Sequence, residues 1–130
     1  MLLFGHSFIK NRSFYHTSSI DAIKNTPPSS TLFIEFSEAN LDIIKHMQEN
    51  ELSFALSVTS IEELIYACAL GASFILVQTD MAKSAQNIAE TYLFDAKVLV
   101  QIESDTEIQE MALLGIDGVY YSSAIIKINS

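Results

Sequence analysis

Two stretches of this chain repeat one another, and the repeat restricts the fold to a small class. Ser60-Ile61-Glu62-Glu63 and Ser104-Asp105-Thr106-Glu107 share the form Ser-x-x-Glu. The runs they open end at Leu70-Gly71 and Leu114-Gly115. All four positions are offset by 44 residues (60 to 104, 63 to 107, 70 to 114, 71 to 115). Ser-x-x-Glu opens a helix: the serine oxygen accepts an N–H of the first turn, and the glutamate reaches back to the cap N–H. The glycine supplies the left-handed residue that stops the helix. The upstream runs align as well, Phe54-Ala55-Leu56 with Val98-Leu99-Val100. A period of this length is two βα units of about 22 residues, ordinary for an α/β fold.

The rest of the chain extends the pattern. Strand-like runs occur at Thr31 to Phe36, Ser53 to Val58, Phe74 to Gln78, Lys97 to Ile102 and Gly118 to Tyr121. They are continuously apolar rather than alternating, as expected of parallel strands covered on both faces. Between them, Ser37 is placed to cap a helix with Leu41, Ile44 and Met47 on one side. Asp80 is placed to cap a helix carrying Met81, Ala85, Ile88, Ala89, Tyr92 and Leu93. Asn25-Thr26-Pro27-Pro28 ends whatever precedes it. Within the first thirty residues, Phe14-Tyr15-His16 reads as a strand, Ser18 or Ser19 as the cap of a short helix, and Leu2-Leu3-Phe4 as a further edge strand.

Composition narrows the function classes. At 130 residues the chain is one domain's length, and with 49% apolar residues it is too hydrophobic to be disordered. Seven cations against sixteen acids give a net charge of −9, which disfavours nucleic acid and anionic membranes. Residues 1–30 hold three cations and one acid, and residues 31–130 hold four cations and fifteen acids. The N-terminal segment, with Lys10, Arg12, His6 and His16, is thus the electrostatic opposite of the repeat region, on which, in its own chain or a neighbour's, it is expected to dock. Met1 to His6 lacks the charged start and small-residue cleavage site of a secretory signal. The longest nearly apolar stretch, Leu64 to Val77, is too short to span a bilayer. Cys68, the sole cysteine, excludes an intrachain disulfide and reads as a small core residue. A cytoplasmic location follows most simply.

The segments Val98-Leu99-Val100-Gln101-Ile102-Glu103-Ser104 and Leu113-Leu114-Gly115-Ile116-Asp117-Gly118-Val119-Tyr120-Tyr121 hold 16 of the chain's 130 residues. They resemble the closing units of phosphate-binding TIM barrels, such as glycerophosphodiester phosphodiesterases and the aldolase and ribulose-phosphate barrels. That resemblance implies parallel strands with a ligand site at their carboxyl ends. The catalytic residues of those families are not carried over. There is no tryptophan, Ser122 follows the last strand where an acid or a phosphate-binding glycine is expected, and no lysine stands at a strand end for a Schiff base. The paired acids, aspartate and lysine of a phosphorylatable receiver domain are likewise missing from the expected strand ends.

Ligands of parallel α/β sheets bind beyond the carboxyl ends of the strands. Here those positions hold Ser37, Thr59, Ser60, Gln78, Thr79, Asp80, Glu103, Ser104, Ser122 and Ser123, with Glu35 just inside its strand. The candidate ligand-binding set is Glu35, Ser60, Asp80, Glu103, Ser104, Ser122 and Ser123. Glu35, Asp80 and Glu103 are the carboxylates that could share Mg²⁺. Ser60, Ser104 and Ser122 mark helix starts that could hold a phosphate. The bland alternative, that the serines and Asp80 are caps and the glutamates are solvated, accounts for all of them, so no metal and no cofactor is assigned. His6 and His16 have no Ser/Asp or Cys partner in triad-like context and read as ordinary polar residues. Tyr120-Tyr121, Phe8, Phe14 and Tyr15 are aromatics that could leave apolar surface uncovered.

The expectation is one α/β domain over 1–130, with residues 31–130 as the βα repeat region. Its sheet is mainly parallel, with five strands or six, and helices lie on both faces in a flavodoxin-like sandwich. A half-TIM-barrel is the alternative. The expected function is non-catalytic, by self-association or as an adaptor for a protein partner. The competing reading is a small enzyme or binding protein for a phosphorylated metabolite.

Overall fold

The computed structural model describes residues 1–10 and 13–128. Arg12 lies outside the described residues. Eight strands form one all-parallel sheet: β1 (Leu2–Phe4), β2 (Phe14–His16), β3 (Thr31–Glu35), β4 (Phe54–Ser57), β5 (Phe74–Val77), β6 (Lys97–Gln101), β7 (Gly118–Tyr120) and β8 (Ile125–Lys127). Five helices accompany them: α1 (Ile20–Ile23), α2 (Leu41–Glu49), α3 (Ile61–Ala69), α4 (Ala82–Thr91) and α5 (Thr106–Leu113). The spatial order is β1-β7-β6-β5-β4-β3-β2-β8.

The expectation of five or six strands is corrected to eight: Leu2–Phe4 and Phe14–His16, read as further strands of the N-terminal segment, both join the sheet, and β8, three residues with two exposed, carries no pattern of its own. Helices on both faces are also corrected. From β2 to β7 each strand neighbours the next in sequence. Right-handed crossovers that always step the same way put every helix on one side of the sheet. One core contains the helix residues Ile44, Met47, Leu64, Ala67, Ala85 and Met111 together with outward strand residues such as Leu56, Ile75, Val98 and Val100. A second core, of Phe4, Phe14, Phe33, Ala55, Leu76, Leu99, Tyr120 and Ala124, contains no α-helical residue. It is enclosed by the sheet itself, so the half-barrel is the architecture.

Chain length shows how far the sheet curls. β8 lies six strand spacings from β7, about 29 Å in a flat sheet. Only residues 121–124 join them, a reach of about 18 Å at most. The edges must therefore swing toward each other. Accordingly, Phe4 of β1 and Phe14 of β2, which lie near opposite edges, have ring centroids 4.9 Å apart, and both meet Phe74 of β5 at 5.6 and 5.5 Å. At this seam Gly5 packs against Ser123 and Ala124. Gly118 is required for a different reason: a Cβ there would stand 2.8 Å from the Leu2 backbone oxygen and 2.7 Å from Leu99.

The repeat is fuller in space than in sequence. Helices α2 to α5 all end on a left-handed residue: Glu51 (φ 55°), Gly71 (φ 89°), Leu93 (φ 54°) and Gly115 (φ 74°). In each case the next residue's N–H returns to the helix: Leu52 to Met47, Ala72 to Ala67, Phe94 to Ala89 and Ile116 to Met111, at 2.8–3.2 Å. Glycine marks only two of the four stops, so only those two are visible as a repeat. The caps differ from expectation. Ser60 Oγ accepts the Glu63 N–H at 3.1 Å, but Glu63 reaches the Thr59 N–H at 2.9 Å rather than that of Ser60. In the second unit Glu107 accepts the N–H groups of Ser104 and Glu103 at 3.1 and 2.7 Å, while Ser104 Oγ turns to Thr106. Ser37 and Asp80 make no side-chain cap bond; each belongs to a 3₁₀ turn (38–40 and 79–81) that precedes its helix. Asp117 explains the Gly-Ile-Asp-Gly turn by accepting the Val98 N–H at 2.9 Å. Its own N–H donates to buried Gln86 Oε1 at 2.9 Å.

Among the described residues no helix is long and apolar enough to cross a membrane.

Candidate functional site

Side chains two apart on a strand share a face. Following that rule from the inner core to the carboxyl ends, five neighbouring strands change character in one step. Phe14 gives way to His16, Phe33 to Glu35, Ala55 to Ser57, Leu76 to Gln78 and Leu99 to Gln101. The curled sheet therefore carries a ring of hydrogen-bonding side chains over an apolar floor. The ring is internally bonded. His16 Nε2 and Glu35 Oε2 are 3.2 Å apart, and Gln78 Nε2 donates to Gln101 Oε1 at 2.8 Å. The His16 ring lies 5.0 Å from that of Phe33.

A second polar group sits on the same end, at the seam. His6, whose side chain is only 9% exposed, places Nε2 3.3 Å from Asp105 Oδ2. Its Nδ1 accepts the Phe8 N–H at 3.0 Å. With Nδ1 accepting, the ring proton belongs on Nε2, facing the carboxylate. Both nitrogens are thereby committed, which makes His6 a clasp rather than a base. The Tyr121 hydroxyl donates to Asp105 Oδ1. These bonds favour the charged carboxylate, so the Tyr121 and His6 contacts hold Asp105 below its usual range. The same bond to Asp105 pushes Tyr121 up to about 12. Tyr120, one residue earlier, is also raised to about 12, by burial in the inner core. His16 differs from His6. With Nε2 on Glu35, its Nδ1 has no partner among the described residues.

Of the residues singled out from sequence, Glu35 stands in the ring. Ser60 caps α3, and Ser104 opens the turn before α5. Asp80 and Glu103 are exposed in the loops after β5 and β6. Ser122 and Ser123 form the exposed 3₁₀ turn at the seam, where Ser123 Oγ donates to Gly5 O at 3.5 Å. None of the seven hydrogen-bonds to another. Among the described residues no three His, Cys, Asp or Glu side chains form a metal-holding group, so Glu35, Asp80 and Glu103 do not share a cation site. Around the starts of α3 and α5, the N–H of Glu63 is taken by Ser60 Oγ, that of Thr59 by Glu63, and those of Glu103 and Ser104 by Glu107, which sets a carboxylate beside each helix start. Those bonds hold Glu107 in its charged form, with its pKa lowered. His16, Ser57 and Gln101 escaped the sequence reading. The signal that finds them is the shared inner-face switch from apolar to polar in five strands.

The aromatics expected to leave apolar surface uncovered do not all do so. Phe14 and Tyr120 fill the inner core. The uncovered apolar surface lies on the helices instead. Helix α3 exposes Ile65, Tyr66 (53%) and Ala69 between two grooves. One groove, of about 570 Å³, is lined by Phe36, Glu38, Leu41, Lys45, Tyr66 and Leu70, among others. The other, of about 400 Å³, is lined by Ile65, Cys68, Ala69, Tyr92 and Phe94. Cys68 is half-buried at that groove, and burial raises its thiol pKa.

No protein-family model matches the chain, and no curated protein matches it in sequence.

Proposed function

We propose that this chain is a non-catalytic cytoplasmic protein that acts by self-association through the outer face of α3. The observation that carries the reading is the composition of that helix. After Glu63 it reads Leu64-Ile65-Tyr66-Ala67-Cys68-Ala69, without a charge on any side. A helix apolar all round is ordinarily covered on all sides, yet this one leaves Ile65 and Tyr66 in solvent. In a chain of net charge −9, the exposed stripe of α3 carries one acid, Glu62 at its start, and is uncharged from Ile65 to Ala69, so two copies can approach over that length with little repulsion. The adjoining groove is self-complementary. Glu38 and Lys45 both line it, and among the described residues neither forms an ion pair. A twofold contact sets Glu38 of one protomer opposite Lys45 of its partner, around an apolar centre of Phe36, Leu41 and Tyr66. The competing reading, a site for a phosphorylated metabolite, has less support because the Glu63 and Glu107 carboxylates sit at the starts of α3 and α5, where they repel a phosphate.

Light scattering after size exclusion tests this. At about 100 μM, where a contact of micromolar Kd is saturated, the mass should be twice 14.4 kDa. Tyr66→Glu should return it to the monomer, while Leu113→Glu, on an exposed residue outside both grooves, should leave it unchanged. A wild-type monomer at that concentration overturns the reading, as does a dimer indifferent to Tyr66→Glu.

A further inference from the structure

The ring at the carboxyl ends of β2 to β6 has hydrogen-bonding capacity that the fold does not consume. After the His16–Glu35 and Gln78–Gln101 bonds, the groups without a partner among the described residues are His16 Nδ1, Glu35 Oε1, the Ser57 hydroxyl, Gln78 Oε1 and the Gln101 amide N–H groups. This is a mixture of donors and acceptors on adjacent strands, over a floor that includes Phe14 and Phe33. We infer that the mouth of the half-barrel binds a small neutral polyhydroxylated molecule, a polyol or a monosaccharide.

Three alternatives fit the groups less well. An anion would meet Lys127, which the register sets beside His16, but would also face the Glu35, Glu63 and Glu107 carboxylates, the last two already holding the N–H groups of Thr59, Glu103 and Ser104. A divalent cation lacks a third ligand among the described residues. An apolar molecule would leave the ring's remaining donors and acceptors unpaired, which costs free energy. A hydroxyl group both donates and accepts, and a sugar ring adds an apolar C–H face. It therefore suits a mixed ring above aromatic side chains. The orientation of His16 supports the same assignment. Glu35 receives the Nε2 proton, which fixes the tautomer and presents a lone pair at Nδ1 for a ligand hydroxyl. His6, with both nitrogens engaged, takes no part.

The test is an NMR titration of the isotope-labelled full chain with glucose and xylitol, and separately with inorganic phosphate and putrescine. The expected result is saturable shifts with glucose or xylitol, confined to His16, Glu35, Ser57, Gln78 and Gln101. Glu35→Gln and Gln101→Leu should each weaken that binding by about tenfold. His6→Ala should not change it. Because ring variants can perturb the fold, the spectra outside the mouth serve as the control, and Ser57→Ala, the smallest change, should weaken binding on an intact fold. Absence of saturable shifts with both neutral probes overturns the inference. So does preferential binding of phosphate or putrescine at these residues, or neutral-probe binding that survives Glu35→Gln, Gln101→Leu and Ser57→Ala.

Discussion

One half of the sheet is coated and the other half is not. Strands β3 to β6 are each followed by a helix of eight to ten residues, and those helices close the outer core. Strands β7, β8, β1 and β2 have three residues each, and the only α-helix that follows any of them, α1, has four. The coated half is held by burial of aliphatic side chains. The seam is held by close backbone approach at Gly118, by the Phe4–Phe14 contact and by the His6–Asp105–Tyr121 clasp. Eight strands thus fit into 130 residues because, among the described residues, three of them are followed by no α-helix and a fourth by one of only four residues. The N-terminal segment docks on its own repeat region through the pairing of β1 with β7 and through the His6–Asp105 contact.

The sharpest way to break the comparison is to remove equal chemistry from each half. Leu56, in the centre of β4, is fully buried, whereas Ile126, in β8, is 40% exposed. Leu56→Ala should cost about 2–5 kcal/mol, because it removes transfer energy and leaves a cavity among packed neighbours. Ile126→Ala should cost under about 1 kcal/mol, since water already reaches the site. Urea midpoints measure both. Equal losses would mean that the seam is as well packed as the coated half.

A smaller effect separates the halves by pH. The clasp joins the exit of β1, the start of α5 and the exit of β7, so its charges act on the seam. Asp105 has a lowered pKa in the folded chain, so its contribution is present above the unfolded value of about 4 and is lost as pH falls through the folded one. Tyr121 has the opposite sign. Its contribution is present below the unfolded value of about 10 and is lost as pH rises toward about 12. Urea midpoints of wild type and Asp105→Asn should differ at neutral pH and converge in acid. Those of wild type and Tyr121→Phe should differ at neutral pH and converge in alkali. A pH-independent difference would show that the clasp acts by packing alone.

The two halves were also unequally legible. In the coated half, continuous apolar runs located every strand to within one or two residues, because burial on both faces leaves no polar interruption. The Ser-x-x-Glu and Leu-Gly signals located two helices for a steric reason that sequence carries. In the seam, Leu2-Leu3-Phe4 and Phe14-Tyr15-His16 could be proposed as strands, but β8 could not: three residues, one half-buried and two exposed, have no pattern of their own. The side on which the helices lie depends on strand order, which no local signal encodes. The site divides in the same way. Glu35 was found as a charge at a strand end. His16, Ser57 and Gln101 needed the knowledge that five strands share one inner face, and the His6 clasp spans 99 residues of sequence.

The smallest expected effect sits where the repeat departs from its own rule. Helices α3 and α5 stop at glycine, which adopts a left-handed backbone without strain, whereas α4 stops at Leu93 with φ of 54°. An L side chain in that region costs about 1 kcal/mol, and Leu93 recovers little of it by packing, being 84% exposed. The return bond beyond it, Phe94 N–H to Ala89 at 2.8 Å, involves backbone atoms only and survives any replacement. Leu93→Gly should therefore remove strain from the folded chain. The gain is offset by the larger conformational entropy of an unfolded glycine, leaving a net stabilisation of about 0.5 kcal/mol. Leu93→Ala keeps the Cβ and the strain, so it should leave the urea midpoint nearly unchanged. Glycine stabilising while alanine does not would identify backbone strain as the cause. If both substitutions stabilise alike, the exposed apolar side chain was the liability, and the departure at Leu93 belongs to the surface around the α3–α4 groove rather than to the helix stop.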